Sequence, residues 1–401
     1  MLTLEEAQAK LLALASDIPP VEIQTHLAQG HHVSEDVTAV RTQPAADLSA
    51  MDGYAICGNG PWDLVGESRA GAPLKGHLID GQCARISTGA HLPDGSDRIL
   101  IQENAVVDGQ TVSLRKGEVV PESAQHIRRA GFDFHEGDTL LHRGTLIGPA
   151  QIALALSGGL SSLPVLPAPR IAVLDSGDEL VRLPATLAAH QIPASNGAML
   201  RAMISPIAGT IDLLGPVADN LDALADALSK TNDCDVLVTS GGASVGDHDL
   251  IQQALINWGA EIEFWKVAIK PGKPLMIATR QSEQRKQVIL GLPGNPVSSF
   301  VTCYLFALPL IRAMMGFQTP FPGLTQIPTK QDLPPGGHRR EFLRAVSDGQ
   351  SVWLTDSQDS SALQSLAKAN CLIDRPSGCA ASQAGAEVGV FWLENGGKPR
   401  S

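Results

Sequence analysis

The feature that most constrains this chain is an alternation between residues 170 and 314. Short apolar runs, "RIAVLDS" (170–176), "GTIDLLG" (209–215), "CDVLVTS" (234–240), "EIEFWKVAI" (261–269) and "QVILGL" (287–292), are interspersed with amphipathic stretches over roughly 197–207, 219–230, 249–258 and 296–314. Apolar strands alternating with amphipathic helices predict a doubly wound, mostly parallel sheet. Ligands of such sheets bind outside the carboxyl ends of the strands. The loops at the ends of the runs are therefore where chemistry is expected.

Four of those loops are unusual. Asp175-Ser176-Gly177-Asp178-Glu179 follows the first run. "TSGGASVGDHDL" (239–250) follows the third, joining two glycines to a pair of aspartates. Gly241 and Gly242 would form a nest of N–H groups for a phosphate. Asp247 and Asp249 would supply hard oxygens to Mg²⁺, which commonly takes one or two carboxylates plus substrate phosphates. A turn with an aspartate N-cap also explains this stretch, and His248 lies where a ligand could, although a lone loop histidine is more often a solvated bystander. Lys270-Pro271-Gly272-Lys273-Pro274 places two ammonium groups near the same edge, as phosphate or oxyanion ligands or as a solvated basic turn. Pro293-Gly294-Asn295-Pro296 opens the last helix, with Asn295 as N-cap and Pro296 at the first helical position. Free N–H groups there would favour an anion, although an ordinary capped helix accounts for the same residues.

The rest of the chain has a different texture. Residues 1–30 read as helix, opened by a capping box of Thr3 and Glu6. Residues 31–145 are short runs broken by Gly, Pro and Asp, a β-rich pattern. A helix returns at 148–160, and "SLPVLPAPR" (162–170) reads as a linker or an edge segment. After "PFPG" (320–323) the pattern turns β again. The most apolar window, 300–311, is too short to span a bilayer and reads as a buried helix. The two glutamates near the start do not fit a signal peptide. Six cysteines without a CxxC pair fit reduced thiols in a cytoplasmic protein. The net charge of −12 gives no attraction for nucleic acid or anionic lipid, so an anionic substrate must be met by local donors.

"SAMDGYA" (49–55) and "RISTGAHLPDGSD" (85–97) are each explained by turn chemistry. Taken with "IRRAGFD" (127–133), "SGDEL" (176–180), "TSGGASVGDHD", "FWKVAIKPGKP" (264–274) and "GLPGNPVSS" (291–299), they give a chain that resembles the molybdopterin molybdenumtransferase family, the E-domain of gephyrin-like proteins. "REFLRA" (340–345) and "SSALQSLAKAN" (360–370) match more loosely. The resemblance runs in order over nearly the whole chain.

The resemblance implies an activity: insertion of molybdate into the dithiolene of adenylylated molybdopterin, releasing AMP, with Mg²⁺ required. It also implies a fold with an elongated helical domain (here 1–40 and 132–168), an inserted β-rich domain (41–131), an α/β molybdopterin-binding domain (169–318) and a C-terminal β-barrel (319–401). Members of the family are homodimers with a cleft built from two subunits. On that pattern Gly241, Gly242, Pro293, Gly294, Asn295 and Pro296 hold phosphates, and Asp247 and Asp249 bind Mg²⁺. Lys270, Lys273, Ser244, Ser298 and Arg344 hold the oxyanion. Asp52, Thr88, Asp133, Asp178 and Glu179 line the cleft and position water or the cation. Either Ser360 or Ser361 matches a molybdate-contacting serine.

The departures are small: Asp175-Ser176 stands where members commonly have Ser/Thr-Thr, Ser195-Asn196 replaces a Thr-Asn pair, and His248 replaces an aromatic or small residue. The adenylylated substrate is expected from a separate adenylyltransferase. Two rival classes are a non-catalytic gephyrin-like scaffold and a simple nucleotide-binding or phosphatase-like α/β enzyme. The first would fit loss of Asp247, Asp249 or Lys273, all of which are present. The second leaves "SAMDGYA" unexplained. Molybdate and tungstate, nearly equal in size, are not separated by these residues.

Overall fold

A computed structural model describes residues 1–15, 18–241, 250–282 and 285–393. The chain divides into two compact units, residues 22–164 and residues 1–21 with 165–401.

The larger unit begins with helix α1, Leu4–Leu12. The predicted capping box is present: the Thr3 hydroxyl accepts the Glu6 N–H and the Glu6 carboxylate accepts the Thr3 N–H. The helix stops at Leu12, not near residue 30 as the sequence pattern implied. Beyond it lie Pro19-Pro20, and Val21–Gln24 is extended. Proline holds the residue before it out of the helical region.

In the unit of residues 22–164, a six-stranded sheet is built from β1 (Gly53–Ile56), β2 (Trp62–Ser68), β3 (Gln82–Ile86), β4 (Arg98–Ile101), β5 (Ala105–Asp108) and β6 (Thr111–Leu114), in the order β4-β1-β3-β2-β6-β5. Gly53 is required here, because a Cβ would lie 2.1 Å from the Leu100 carbonyl oxygen on the neighbouring strand. Helix in this unit is confined to α2, Pro149–Ser157, and two short 3₁₀ turns. The segment after it carries the chain from one unit to the other, and it is not an edge. Around Pro164 it is a strand with partners on both sides: the Thr25 N–H donates to the Ser161 carbonyl and the Ser34 N–H to the Pro164 carbonyl.

The α/β sheet of the larger unit contains β7 (Arg170–Ser176), β8 (Thr210–Val217), β9 (Val236–Ser240), β10 (Glu261–Lys266), β12 (Pro274–Gln281) and β13 (Lys286–Leu292), with the short strand β11 (Ile269–Lys270) lying outside it. The order is β8-β7-β9-β13-β12-β10. Four strands are parallel, and β12 and β10 add antiparallel pairs at one edge. The sheet is thus mostly parallel, as expected, with an antiparallel edge, and β12 is a strand that the sequence pattern did not reveal.

Both faces of this sheet are covered. Ile171, Val173, Val236, Val238, Val288 and Leu290 point to one core, shared with α1 and the helices α3 (Asn196–Ile204), α6 (Pro296–Thr302) and α7 (Leu308–Met314). Ala172, Leu174, Leu237 and Ile289 point to the other, under α4 (Leu221–Ser229) and α5 (Leu250–Asn257). Burial on both faces is why these strands read as unbroken apolar runs.

A π-helical segment, Cys303–Ala307, joins α6 to α7. Pro309 has no N–H for the Leu305 carbonyl four residues back, and that carbonyl accepts the Gln8 side-chain amide of α1 instead. The helix Pro296–Met314 is long and apolar enough to cross a membrane by length and composition, yet 94% of its most apolar window is buried within the protein, as expected of a core helix. All six cysteines are free.

The C-terminal β-rich part has the strands β14 (Leu324–Pro328), β15 (Arg340–Ser347), β16 (Val352–Leu354), β17 (Cys371–Arg375) and β18 (Glu387–Trp392), and the helix α8 (Leu363–Lys368). Its sheet runs β11-β15-β17-β18-β14, with β16 on β15.

Phe306 is fully buried in the core beneath α1. Phe306→Ala is expected to cost about 3–5 kcal/mol through lost burial and an unfilled cavity. Urea denaturation followed by tryptophan fluorescence checks this, and a loss under about 1 kcal/mol would mean the site collapses without penalty.

Candidate active site

The site is built where β11 meets β15. Ile269 pairs with Arg340 and Lys270 with Glu341, in parallel. The cross-strand register sets the Lys270 ammonium 3.0 Å from the Glu341 carboxylate. The loop after β11 is closed by a hydrogen bond from the Val267 N–H to the Lys273 carbonyl. Gly272 at its tip has φ +100° and sits against α6, where a Cβ would meet the Thr302 methyl at 2.5 Å. Only glycine fits that backbone and that space.

This loop forms one wall of a cavity of about 360 Å³. Lys270 and Lys273 contribute from the loop, Ser298 from α6, Arg339 and Arg344 from β15 and its approach, and Gln358, Asp359 and Ser360 from the segment before α8. The cavity therefore brings together Lys270, Lys273, Ser298 and Arg344 from three separate stretches of sequence. It also separates the two serines. Ser360 lines the cavity, whereas the Ser361 hydroxyl is turned to the Asp359 carboxylate.

Arg344 is only 1% exposed. One guanidinium nitrogen donates to the carbonyls of Ser357 and Asp359, at 3.1 and 3.0 Å. Its backbone N–H and carbonyl are both held by the Gln358 amide. Its Nε has no hydrogen-bond partner. Burial lowers the guanidinium's pKa, and the Asp359 charge opposes that. Arginine stays protonated at neutral pH. A buried cation with a spare donor, beside two lysines, is a site prepared for an oxyanion.

Other strand ends of the sheet carry the remaining candidates. Asp178 accepts the Asp219 N–H at 3.0 Å, and Asp178 and Glu179 are exposed. Burial, then the charges of Asp178 and Glu179, raise the Asp219 carboxyl. Asp175, 3% exposed, accepts the Gly197 N–H at 2.8 Å, and its pKa is raised by burial. The Asn196 amide donates to the Ser240 hydroxyl at 2.9 Å and to the Gly294 carbonyl at 2.7 Å. It thus ties the end of β9 to the turn after β13.

Two expectations need correction. The Gly241 N–H donates to the Leu292 carbonyl at 3.0 Å, extending the β9–β13 pairing, so it is not free for a phosphate. Asn295 takes the N-cap position before α6, but its side chain makes no capping bond. At that helix start Pro296 has no N–H, and the Val297 N–H donates to the Ser360 carbonyl at 3.1 Å. The turn Pro293–Gly294–Asn295–Pro296 is built, but with fewer spare donors than its sequence implied. Gly242, Ser244, Asp247, His248 and Asp249 lie outside the described residues. Among the described residues, no three carboxylate, imidazole or thiol groups are grouped to hold a metal ion.

In the unit of residues 22–164, Asp52 immediately precedes β1. Its carboxylate accepts the Thr88 N–H at 2.6 Å and the Thr88 hydroxyl at 3.0 Å. The backbone bond, the hydroxyl bond and the nearby Arg85 charge hold Asp52 below the usual carboxylate range. "SAMDGYA" and "STGA" therefore meet in one turn. Asp133 is exposed, and its N–H donates to the Gln43 carbonyl; no hydrogen bond or ion pair joins it to Asp52 or Thr88 among the described residues.

Arg339, Gln358 and Asp359 were not singled out from the sequence. The basic run "HRREFLRA" is a signal for Arg339. Gln358 and Asp359 carry no local signal, because the fold alone brings them to the lysines.

Three family models match in chain order: "MoeA N-terminal region (domain I and II)" over residues 2–159, "Probable molybdopterin binding domain" over 172–313, and "MoeA C-terminal region (domain IV)" over 326–393. The chain is 32% identical over 388 residues to a molybdopterin molybdenumtransferase of Nostoc sp., covering 91% of this chain and 87% of that protein. It is 31% identical over 392 residues to the protein of the same name from Haemophilus influenzae, covering 93% and 94%. The crystal structure of a molybdopterin biosynthesis MoeA protein from Pyrococcus horikosii matches with a TM-score of 0.82 at 26% identity, covering 98% of this chain and 99% of that one.

Thr88→Val removes the hydroxyl bond to Asp52 and keeps the backbone one. The Asp52 pKa is expected to rise towards the ordinary carboxylate value, followed by NMR titration of its side-chain carboxyl. Because the folded pKa is depressed, the contact's contribution is present above the unfolded pKa and is lost as pH falls through the folded one. The variant should therefore lose stability relative to the parent at neutral pH and converge with it in acid. An unchanged Asp52 titration would show that the hydroxyl does not hold the carboxylate.

Proposed function

Because the chain belongs to the molybdopterin molybdenumtransferase (MoeA) family, we propose that it inserts molybdate into the dithiolene of adenylylated molybdopterin, releasing AMP, in molybdenum cofactor biosynthesis. The observation that carries this reading is the cavity with Arg344 buried in its wall and Lys270 and Lys273 at its mouth. It supplies local positive charge in a protein of net charge −12. Lys273 and Arg344 bind the oxyanion, Lys270 contributes while paired with Glu341, and the Ser298 and Ser360 hydroxyl groups orient its oxygens.

The pterin phosphates fall to the adjoining strand ends, where Asn196 holds the Gly294 turn against Ser240. Mg²⁺ belongs to the same reading, with Asp247 and Asp249 as its ligands. Asp178 and Glu179, whose charges help raise the Asp219 carboxyl, line the cleft in this reading and position water or the cation. When bound, the cation would offset negative charge as the phosphoanhydride breaks. Ser244 and Gly242 complete the expected contacts.

The finer architecture and assembly are part of the proposal. They comprise an elongated dimerisation domain (1–40 and 132–168), an inserted domain (41–131), a C-terminal barrel (319–401) and a homodimer acting in the cytoplasm. The adenylylated substrate would come from a separate adenylyltransferase. Asp52, Thr88 and Asp133 would serve the cleft of the partner subunit.

Purified protein, adenylylated molybdopterin, molybdate and Mg²⁺ are expected to give AMP. Lys273→Ala should raise the half-saturating molybdate concentration roughly ten- to a hundredfold, for the loss of one charge-assisted contact. Pterin affinity, measured separately, should change little. A loss confined to pterin affinity would move Lys273 to the phosphate site.

Assembly has its own test. Asp52→Ala and Lys273→Ala proteins, assayed at molybdate far below the half-saturating concentration of Lys273→Ala so that each alone gives little AMP, should form hybrid dimers on mixing, with one cleft carrying both lesions and the other none. Since about half of the dimers are hybrids at full exchange, activity should recover to about a quarter of the parent's. No recovery, with exchange verified by mass spectrometry of tagged chains, would place both residues in one subunit's site.

A further inference from the structure

The cavity holds one group that an oxyanion site does not need. Asp359 lines it, and its carboxylate is close enough to the Arg344 guanidinium for each to feel the other's charge. Oδ1 accepts both the Ser361 N–H, at 2.9 Å, and the Ser361 hydroxyl, at 2.5 Å. Among the described residues Oδ2 accepts no hydrogen bond. The other charged groups at the cavity are Lys270 and Lys273 from the loop, Arg339 and Arg344 from β15 and its approach, and Glu341 behind Lys270. Ser298 from α6 and Ser360 are uncharged.

A dianion entering this cavity meets one carboxylate and, among the described residues, three cations not committed to an ion pair: Lys273, Arg339 and Arg344. The carboxylate has only lone pairs to offer, and so has a fully ionised oxyanion. Two such acceptors repel unless a proton lies between them. We propose that Asp359 couples oxyanion uptake to a proton: the cavity takes a tetrahedral dianion together with one proton from solvent, shared between the Asp359 carboxylate and an oxyanion oxygen. Proton sharing favours the more basic oxyanion, so the arrangement selects molybdate over the weakly basic sulfate. This inference rests on the reading of the cavity as the oxyanion site.

The cavity's own bonds set it for such an exchange. The Ser361 bonds, chiefly that of its hydroxyl, hold Asp359 below the ordinary carboxylate range, with Arg344 adding to the effect. The proton is therefore absent before binding and is acquired with the ligand. The buried Arg344 N–H and the two lysines attract the anion, and Asp359 decides which anion the attraction can serve.

The test is calorimetric titration of the full-length protein with sodium molybdate and with sodium sulfate. Each is run in two buffers of different ionisation enthalpy, at about pH 6 and about pH 8. The parent should take up a proton on binding molybdate, up to one per ion and more at pH 6 than at pH 8, with affinity rising by up to about tenfold per unit fall in pH. Asp359→Asn keeps an oxygen for the Ser361 bonds, so the loop is preserved. In that variant the proton uptake and the pH dependence should disappear. Sulfate affinity should rise on the order of tenfold, more than molybdate affinity does. Equal proton uptake in parent and variant, or equal gains for the two anions, would overturn the proposal. Failure of the parent to bind molybdate, or binding unaffected by Lys273→Ala, would instead remove the oxyanion reading itself, and this inference with it.

Discussion

A two-residue parallel pairing, Ile269–Lys270 against Arg340–Glu341, is the constraint on which the candidate site depends. It makes the connection between β10 and β12 of the α/β sheet an edge strand of the C-terminal sheet. Without it, Lys270 and Lys273 would stand on a free turn and Arg344 would be a buried cation facing no partner loop. With it, a strand-borne arginine and a closed, glycine-tipped loop face each other across one cavity. Groups on strands are held more precisely than groups on loops. The site therefore takes its rigidity from Arg344 and lets Lys273, exposed and on a flexible stem, adapt to the ligand.

Much of the fold was legible because burial leaves a pattern. β7, β9 and β13 face cores on both sides, so their sequences are unbroken apolar runs. β12 escaped because "PLMIATRQ" directly follows the Pro-Gly-Lys-Pro turn and ends in polar residues. Its antiparallel pairing also departs from the strand-helix rhythm. The pattern over residues 1–30 overstates the first helix because the apolar residues around Pro19-Pro20 obscure that stop signal.

The candidate site was legible only in part, for a different reason. Residue types reveal which donors a loop owns but not which are already spent. The Gly241 N–H is spent on the Leu292 carbonyl and the Val297 N–H on the Ser360 carbonyl, and neither could be known before the strands and the α8 approach were in place. The reverse holds for Asp359. Only the Ser360 or Ser361 match singles out "SQDSS" (357–361), and nothing there points to Asp359, yet the fold lays it beside Arg344.

These spent donors bear on how the loops work together. The Val297–Ser360 bond fastens the start of α6 to the segment that lines the cavity, and the Asn196 amide fastens the Gly294 turn to Ser240. The cavity lined by Lys273 and Arg344 and the carboxyl edge of the sheet are therefore joined through one turn, Gly294–Pro296, whose two sides are each held by a hydrogen bond. A ligand contact at either side acts on a shared, already tethered backbone. The polar groups lost as direct phosphate donors are thus what keeps the two halves of the site in register.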